Sequence, residues 1–177
     1  ARAATHYGIP FTLSNASTTS LEDISKIDGL WHWMQIYFYR DRDYVKKLVE
    51  RCKEANYDTI VVTTDSAIFG NREWDRRNYS RPFVLTMRNK LHVLTKPRWL
   101  NDVLIPDGIP QFKNLGDLLP PGETSVKGAA AVLGQQLDPS LNWDDIRWLR
   151  DEWKGRLVIK GILSVEEAAT AVEVGVD

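Results

Sequence analysis

The sequence predicts an α/β protein built as part of a (β/α)8 TIM barrel, and three observations lead there. Strand and helix signals alternate along the 177 residues in the order β-α-β-α-β, a long irregular stretch, then α-β-α. Such alternation gives a parallel sheet through right-handed crossovers. No strand is followed by a Gly-x-Gly-x-x-Gly turn, which argues against a dinucleotide-binding doubly wound sheet. Polar residues collect at the C-terminal end of each apolar run, the end at which a barrel carries its active site.

The elements follow from local chemistry. Residues 1–8 read as the last turns of a helix closed by Gly8, and Ile9 to Ser14 as a first strand ending in small polar residues. Ser20 caps the next helix, with Asp23 three positions on. Leu30 to Tyr39 is a second strand region, followed by a helix capped by Asp41 or Asp43. Along that helix Tyr44, Val45, Leu48, Val49, Cys52 and Ala55 recur at helical spacing. Thr59 to Thr64 is a β-branched run of the kind buried on both faces of a parallel sheet. Ser66 to Leu141 holds seven of the eight prolines and one short helical candidate near Arg98 to Val103, so it reads as an irregular functional insertion or lid. Asn142 with Asp145 opens a further helix, Leu157 to Ile159 is the last strand, and Ser164 with Glu167 forms a capping box for the last helix.

Residues 1–177 therefore read as one partial barrel domain with an insertion at about 66–141. A helix without a following strand at one end, and helical turns without a preceding strand at the other, read as the middle of a larger protein. Apolar residues make up 43% and charged residues 27%, an ordinary globular balance. A net charge of -1 supplies no long-range attraction to nucleic acid. The single cysteine, Cys52, precludes an intrachain disulfide and sits in an apolar stripe as a buried thiol. There is no run of 18 apolar residues and no signal-peptide pattern at the start.

The strand ends carry the candidate site. Ser14, then Gln35 and Tyr37, then Thr63 and Asp65, then Lys160 would converge on one barrel mouth. Gln35 and Tyr37 are two apart, as are Thr63 and Asp65, so each pair can point the same way. A lysine directly after Leu157-Val158-Ile159 is expected to be paired or to hold a ligand. Beyond the third strand lies a charge cluster from which Arg72 is chosen as a clamp for an anionic substrate. His32 has the opposite parity from Tyr37, His92 lies in the insertion and His6 on an outer helix. No Cys/His/Asp/Glu spacing resembles a zinc, calcium or iron site, so no metal is expected.

An ordered series of motifs then makes a resemblance specific. It comprises Pro10 to Ser14, Met34-Gln35-Ile36-Tyr37, Val62-Thr63-Thr64-Asp65, Gly70-Asn71-Arg72-Glu73, Phe112-Lys113-Asn114-Leu115, Asn142 to Leu149 and Leu157 to Gly161. Over nearly its whole length the chain resembles the FMN-dependent L-2-hydroxy-acid dehydrogenase and oxidase family, and within it the mandelate and membrane-associated L-lactate dehydrogenase branch. The resemblance implies that the chain covers strands two to five of the barrel. It implies FMN as cofactor, with Ser14 at the flavin ring system and Gln35 and Thr63 at its isoalloxazine edge. Lys160 would stand near flavin N1 and the C2 carbonyl. Tyr37 would hydrogen-bond the substrate, Arg72 would stand at its carboxylate, and Asp65 would orient a histidine base that the family carries after its sixth strand. The implied reaction oxidises an (S)-2-hydroxy acid to a 2-oxo acid, passing electrons to oxygen, a quinone or a cytochrome. That histidine and the FMN phosphate site lie outside these strands, so the isolated polypeptide is expected to be inactive.

Residues 87–128 mix apolar side chains with Lys90, Lys96 and Arg98. The segment reads either as a lid or as a surface that meets a membrane interface. The implied location is cytoplasmic, with peripheral attachment to the inner membrane face as the variant. The implied assembly is a homotetramer or a barrel completed by a complementary fragment. Two other functions compete: a barrel enzyme using Lys160 as a Schiff base, and a cofactor-free truncated fragment or assembly partner.

Overall fold

A computed structural model describes residues 1–66, 73, 86–119 and 132–177. Four strands, β1 (Phe11–Ser14), β2 (His32–Tyr37), β3 (Thr59–Thr63) and β4 (Arg156–Lys160), form one sheet in the order β1-β2-β3-β4. Every neighbouring pair is parallel. Sequential parallel neighbours joined by helices are the repeating unit of a TIM barrel, and the chain forms four adjacent strands of one. Among the described residues the longer helices are α1 (Arg2–Tyr7), α2 (Leu21–Ser25), α3 (Arg42–Glu54), α4 (Met87–Leu94), α5 (Trp143–Glu152) and α6 (Val165–Glu173), with shorter turns between α4 and α5.

The register sorts the side chains onto two faces. Leu13, Met34, Ile60 and Leu157 lie side by side across the four strands, and all are buried. They share the core with Tyr44, Val45, Leu48, Val49 and Cys52 of α3, Leu21 and Ile24 of α2, and Ile146 and Leu149 of α5. Each fully buried aliphatic side chain contributes roughly 1.5–3 kcal/mol. Because side chains alternate along a strand, Ser14, Gln35, Tyr37, Thr63 and Lys160 all belong to the opposite face.

The helix caps anticipated from sequence form, with one difference. Ser20 accepts from the Asp23 N–H, Asp41 rather than Asp43 caps α3, and Asn142 and Asp145 make a reciprocal box at α5. At α6 Ser164 accepts from the Glu167 N–H, but the Glu167 carboxylate takes the Leu163 N–H at 3.2 Å instead of closing the box. Cys52 is buried, and burial pushes its thiol up to about 12. In native protein at pH 8 we expect no reaction with an aromatic disulfide reagent until guanidinium is added; rapid native labelling would contradict this placement.

The insertion contains more helix than its prolines suggest. Thr86 caps α4 through the Asn89 N–H, and turns at Pro97–Trp99, Leu100–Leu104 and Ile105–Asp107 follow. Leu100–Leu104 is wound as a π-helix. Pro106 has no N–H to give the Asp102 carbonyl, and loosening the coil just before it accommodates that loss.

The insertion is tied to the barrel at two places, near Asn114 and near Asp138. Asn114, fully buried, accepts from the Leu21 N–H at 2.9 Å and donates to the Thr19 carbonyl at 3.0 Å. The Tyr44 hydroxyl donates to the Asn114 carbonyl at 3.0 Å. Near the insertion's C-terminal end Arg42 donates to Asp138 at 2.6 Å, to Asp145 at 2.8 and 3.1 Å and to the Tyr39 carbonyl, while lying over the Phe38 ring.

Asp138 is held below its ordinary value first by the Ser140 hydroxyl and backbone N–H, and then by Arg42. A carboxyl lowered on folding adds stability above its unfolded value, 3.8, and that stability disappears as pH falls through the lower folded value. We expect Asp138→Asn to cost about 1–3 kcal/mol at pH 7 and to flatten the loss of stability below pH about 4. Urea midpoints of both proteins at the two pH values measure it, and parallel pH profiles would sink the assignment.

Candidate active site

The site is made by register. Ser14 stands opposite Gln35, and Tyr37 opposite Thr63, which stands opposite Lys160. A single strand shows only that Gln35 and Tyr37 share a face; the pairing places residues from four strands on that face together. Gln35 and Thr63 are both buried, and the Gln35 amide donates to the Thr63 hydroxyl at 2.9 Å. A buried amide and hydroxyl that serve each other keep further lone pairs and donors for a third group. Ser14 closes β1: its Oγ accepts from the Ala16 N–H at 3.2 Å. Tyr37 is half-buried against the edge of the core.

Lys160 carries the site's positive charge. Its Nζ donates to Asp65 Oδ2 at 2.8 Å, and both side chains are substantially exposed. The ammonium holds the Asp65 carboxyl below the usual range, with a further contribution from the Ser66 hydroxyl. Sequence reasoning placed both residues at the mouth but did not pair them. Arg72 lies outside the described residues.

Two further residues shape this corner. Thr64 donates both its N–H, at 2.9 Å, and its hydroxyl, at 3.1 Å, to the Lys160 carbonyl. Gly161 adopts φ 112 and leaves no room for a side chain, because a Cβ there would lie 2.8 Å from Thr64 Oγ1 and 2.9 Å from Asp65 N. A glycine directly after a strand-end lysine was the readable signal for the second.

The histidines are elsewhere in the fold. His32 opens β2 at the strand's N-terminal end, with its ring 5.4 Å from Tyr57. His6 lies on α1, beside Tyr7, and His92 on α4. Among the described residues no three His, Cys, Asp or Glu side chains cluster so as to hold a metal.

A cation, a buried amide–hydroxyl pair and a second hydroxyl at adjacent parallel strand ends define the class: part of a TIM barrel whose mouth is lined by polar groups. The family model for FMN-dependent dehydrogenases matches residues 1–177, and the chain belongs to that family. It is 37% identical over 178 residues to an (S)-mandelate dehydrogenase of Pseudomonas putida, covering all of this chain and 44% of the relative. It is 36% identical over 178 residues to an L-lactate dehydrogenase of Caulobacter sp. (strain K31), covering all of this chain and 46% of that one. Among solved structures, one of the monotopic membrane protein (S)-mandelate dehydrogenase superposes with a TM-score of 0.86 at 37% identity, covering all of this chain and 46% of the other. The chain thus spans less than half the length of these relatives.

The family depends on FMN, and the side chains present fit that group. A flavin edge alternates ring nitrogens and carbonyl oxygens with one N–H. The Lys160 ammonium supplies donors, while the Gln35 amide and the Ser14 and Thr63 hydroxyls can each donate or accept.

Proposed function

We propose that this chain is the flavin-edge and substrate-side part of an enzyme that, with the remainder of the barrel its relatives carry, oxidises an (S)-2-hydroxy acid of the lactate or mandelate type to the corresponding 2-oxo acid. The observation that carries this reading is the convergence of Ser14, Gln35, Thr63 and Lys160 on one sheet face in a chain of the FMN-dependent dehydrogenase family. FMN, when bound, accepts two electrons from the substrate carbon. Gln35, Thr63 and Ser14 hold its ring edge, and the Lys160 ammonium offsets the negative charge that develops there. Tyr37, on the same face as Thr63, hydrogen-bonds the substrate, and Arg72 grips the substrate carboxylate through paired hydrogen bonds. Asp65 serves as the carboxylate partner of a histidine base, favouring its imidazolium form. Electrons leave to oxygen, a quinone or a cytochrome.

The test is spectroscopic. A full-barrel protein containing these 177 residues is loaded with FMN and mixed anaerobically with L-lactate, (S)-mandelate and their enantiomers, with the 177-residue chain alone as the control expected not to bleach. Bleaching of the flavin bands by an S acid and not by its enantiomer supports the reading. Failure to take up FMN, or no bleaching by any S acid, would overturn it. The Schiff-base alternative predicts borohydride trapping of a carbonyl substrate on Lys160. It is disfavoured because that ammonium is already committed to the Asp65 carboxylate.

A second proposal concerns location. Met87, Leu91, Leu94, Ile105 and Ile109 are exposed along the insertion, interspersed with Arg88, Lys90, Lys96 and Arg98. Exposed apolar and basic side chains interleaved along one segment suit the interface of an anionic bilayer, and one similar solved structure is described as a monotopic membrane protein. No helix among the described residues is long and apolar enough to cross a membrane. Peripheral attachment predicts flotation with anionic vesicles that is lost on deleting residues 90–109; unchanged flotation would exclude this segment as the anchor.

A further inference from the structure

We propose that Thr64 is the positioning residue for Lys160: its hydroxyl, with the neighbouring Asp65 carboxylate, fixes where the lysine ammonium stands at the barrel mouth. The inference rests on Lys160 acting as the cation beside FMN. Lys160 is the last residue of β4, and Gly161 follows at φ 112, so the chain turns away immediately after it. A long exposed side chain at such a point has nothing of its own to hold it in one place. Two consecutive residues of the neighbouring strand end supply the restraint. Thr64 takes the lysine at its carbonyl, through the N–H at 2.9 Å and Oγ1 at 3.1 Å. Asp65 takes it at Nζ, at 2.8 Å. The backbone bond is the rung a parallel sheet would supply anyway, whereas the hydroxyl bond is specific to this side chain. The same hydroxyl borders Gly161, where an added Cβ would lie 2.8 Å from it, so only glycine fits beside this hydrogen bond.

Thr64 cannot act directly. It follows Thr63, whose side chain belongs to the Gln35 and Lys160 face, so its own side chain lies on the other side. There it lines a cleft with Trp143, Ile146 and Ile159. Any influence on a ligand at the mouth therefore passes through Lys160.

The experiment is a double-mutant cycle on the FMN-loaded protein with Thr64→Val, Lys160→Met and the double variant, plus Thr64→Ser. Two quantities are read: the midpoint potential of bound FMN, and the rate at which an acylating reagent modifies Lys160, followed by peptide mass spectrometry. We expect Thr64→Val to shift the potential in the same direction as Lys160→Met, to add nothing in the Lys160→Met background, and to raise Lys160 acylation several-fold. Thr64→Ser is expected to match the wild type. An equal shift in both lysine backgrounds, or unchanged acylation in Thr64→Val, would overturn the proposal. Acylation needs no cofactor, so it decides the positioning claim even if FMN fails to bind, a result that would count against the proposed function instead. If Thr64→Val does not accumulate, Thr64→Ala carries the same cycle.

Discussion

Lys160→Met is expected to slow flavin reduction by the S acid roughly 10²- to 10³-fold, the size of effect seen when a preorganised electrostatic group is removed from a developing charge. The fold predicts that this loss comes without unfolding. The methylenes of Lys160 can be replaced by those of methionine, and the sheet bonds at this position use only its backbone. What disappears is an exposed ion pair with Asp65, and pairs of that kind add little to stability. Stopped-flow bleaching under anaerobic conditions measures the rate, and a urea titration of the same protein checks the fold. A rate within threefold of wild type would mean that Lys160 is a rim residue and that the charge is offset by another group. The variant also frees Asp65 from the group that chiefly lowers it, so the Asp65 carboxyl should titrate closer to its ordinary value.

The second large effect is on stability. Gly161→Ala places a methyl group 2.8 Å from Thr64 Oγ1, 2.9 Å from Asp65 Cβ and 2.9 Å from Asp65 N, at a φ of 112 that side chains avoid. One neighbour is a backbone atom of the adjoining strand end, so relief requires moving the chain rather than turning a rotamer. Adverse backbone conformation costs about 1–3 kcal/mol and overpacking a similar amount, so about 3 kcal/mol or more is expected in total. Gly116→Ala is the control, because a Cβ there meets nothing within 4 Å; it should change stability by less than about 0.5 kcal/mol. Urea unfolding of the two variants side by side decides the matter. Equal midpoints would show that the β4 exit adapts more readily than its geometry suggests.

The parts of the fold that were legible in sequence are those whose cause is local. Ser20, Asp41, Asn142 and Ser164 cap helices because a short polar side chain reaches an N–H two or three residues on. The α3 stripe is readable because every member faces the same core. The strand-end residues were legible as a set because strands in a parallel sheet end on the same side. Gln35 with Thr63 and Lys160 with Asp65 needed the register, which no single strand encodes. Arg42 was invisible for the same reason: its carboxylates are Asp138 and Asp145, about a hundred residues away, and a lone arginine at a helix start looks solvated. The helical turn before Pro106 was readable near Arg98 to Val103, but its π winding was not, because hydrophobic spacing does not distinguish an i to i+5 turn from an α-helical one.

The buried Asn114 has a consequence for the order of folding. Helix α2 is five residues long, too short to persist by itself, and the first N–H of that helix is satisfied from a position 93 residues further along. Closing a loop of that size costs more chain entropy than joining β2 to β3, which pair across a single helix. The β2–β3 unit can therefore assemble while α2 is still fluctuating, and α2 locks when residues 112–118 come home. Pulse-labelling hydrogen exchange would see this as late protection of the Leu21 amide relative to those of Ile60 to Val62. The five-residue helix beside the first strand thus reports the insertion's return.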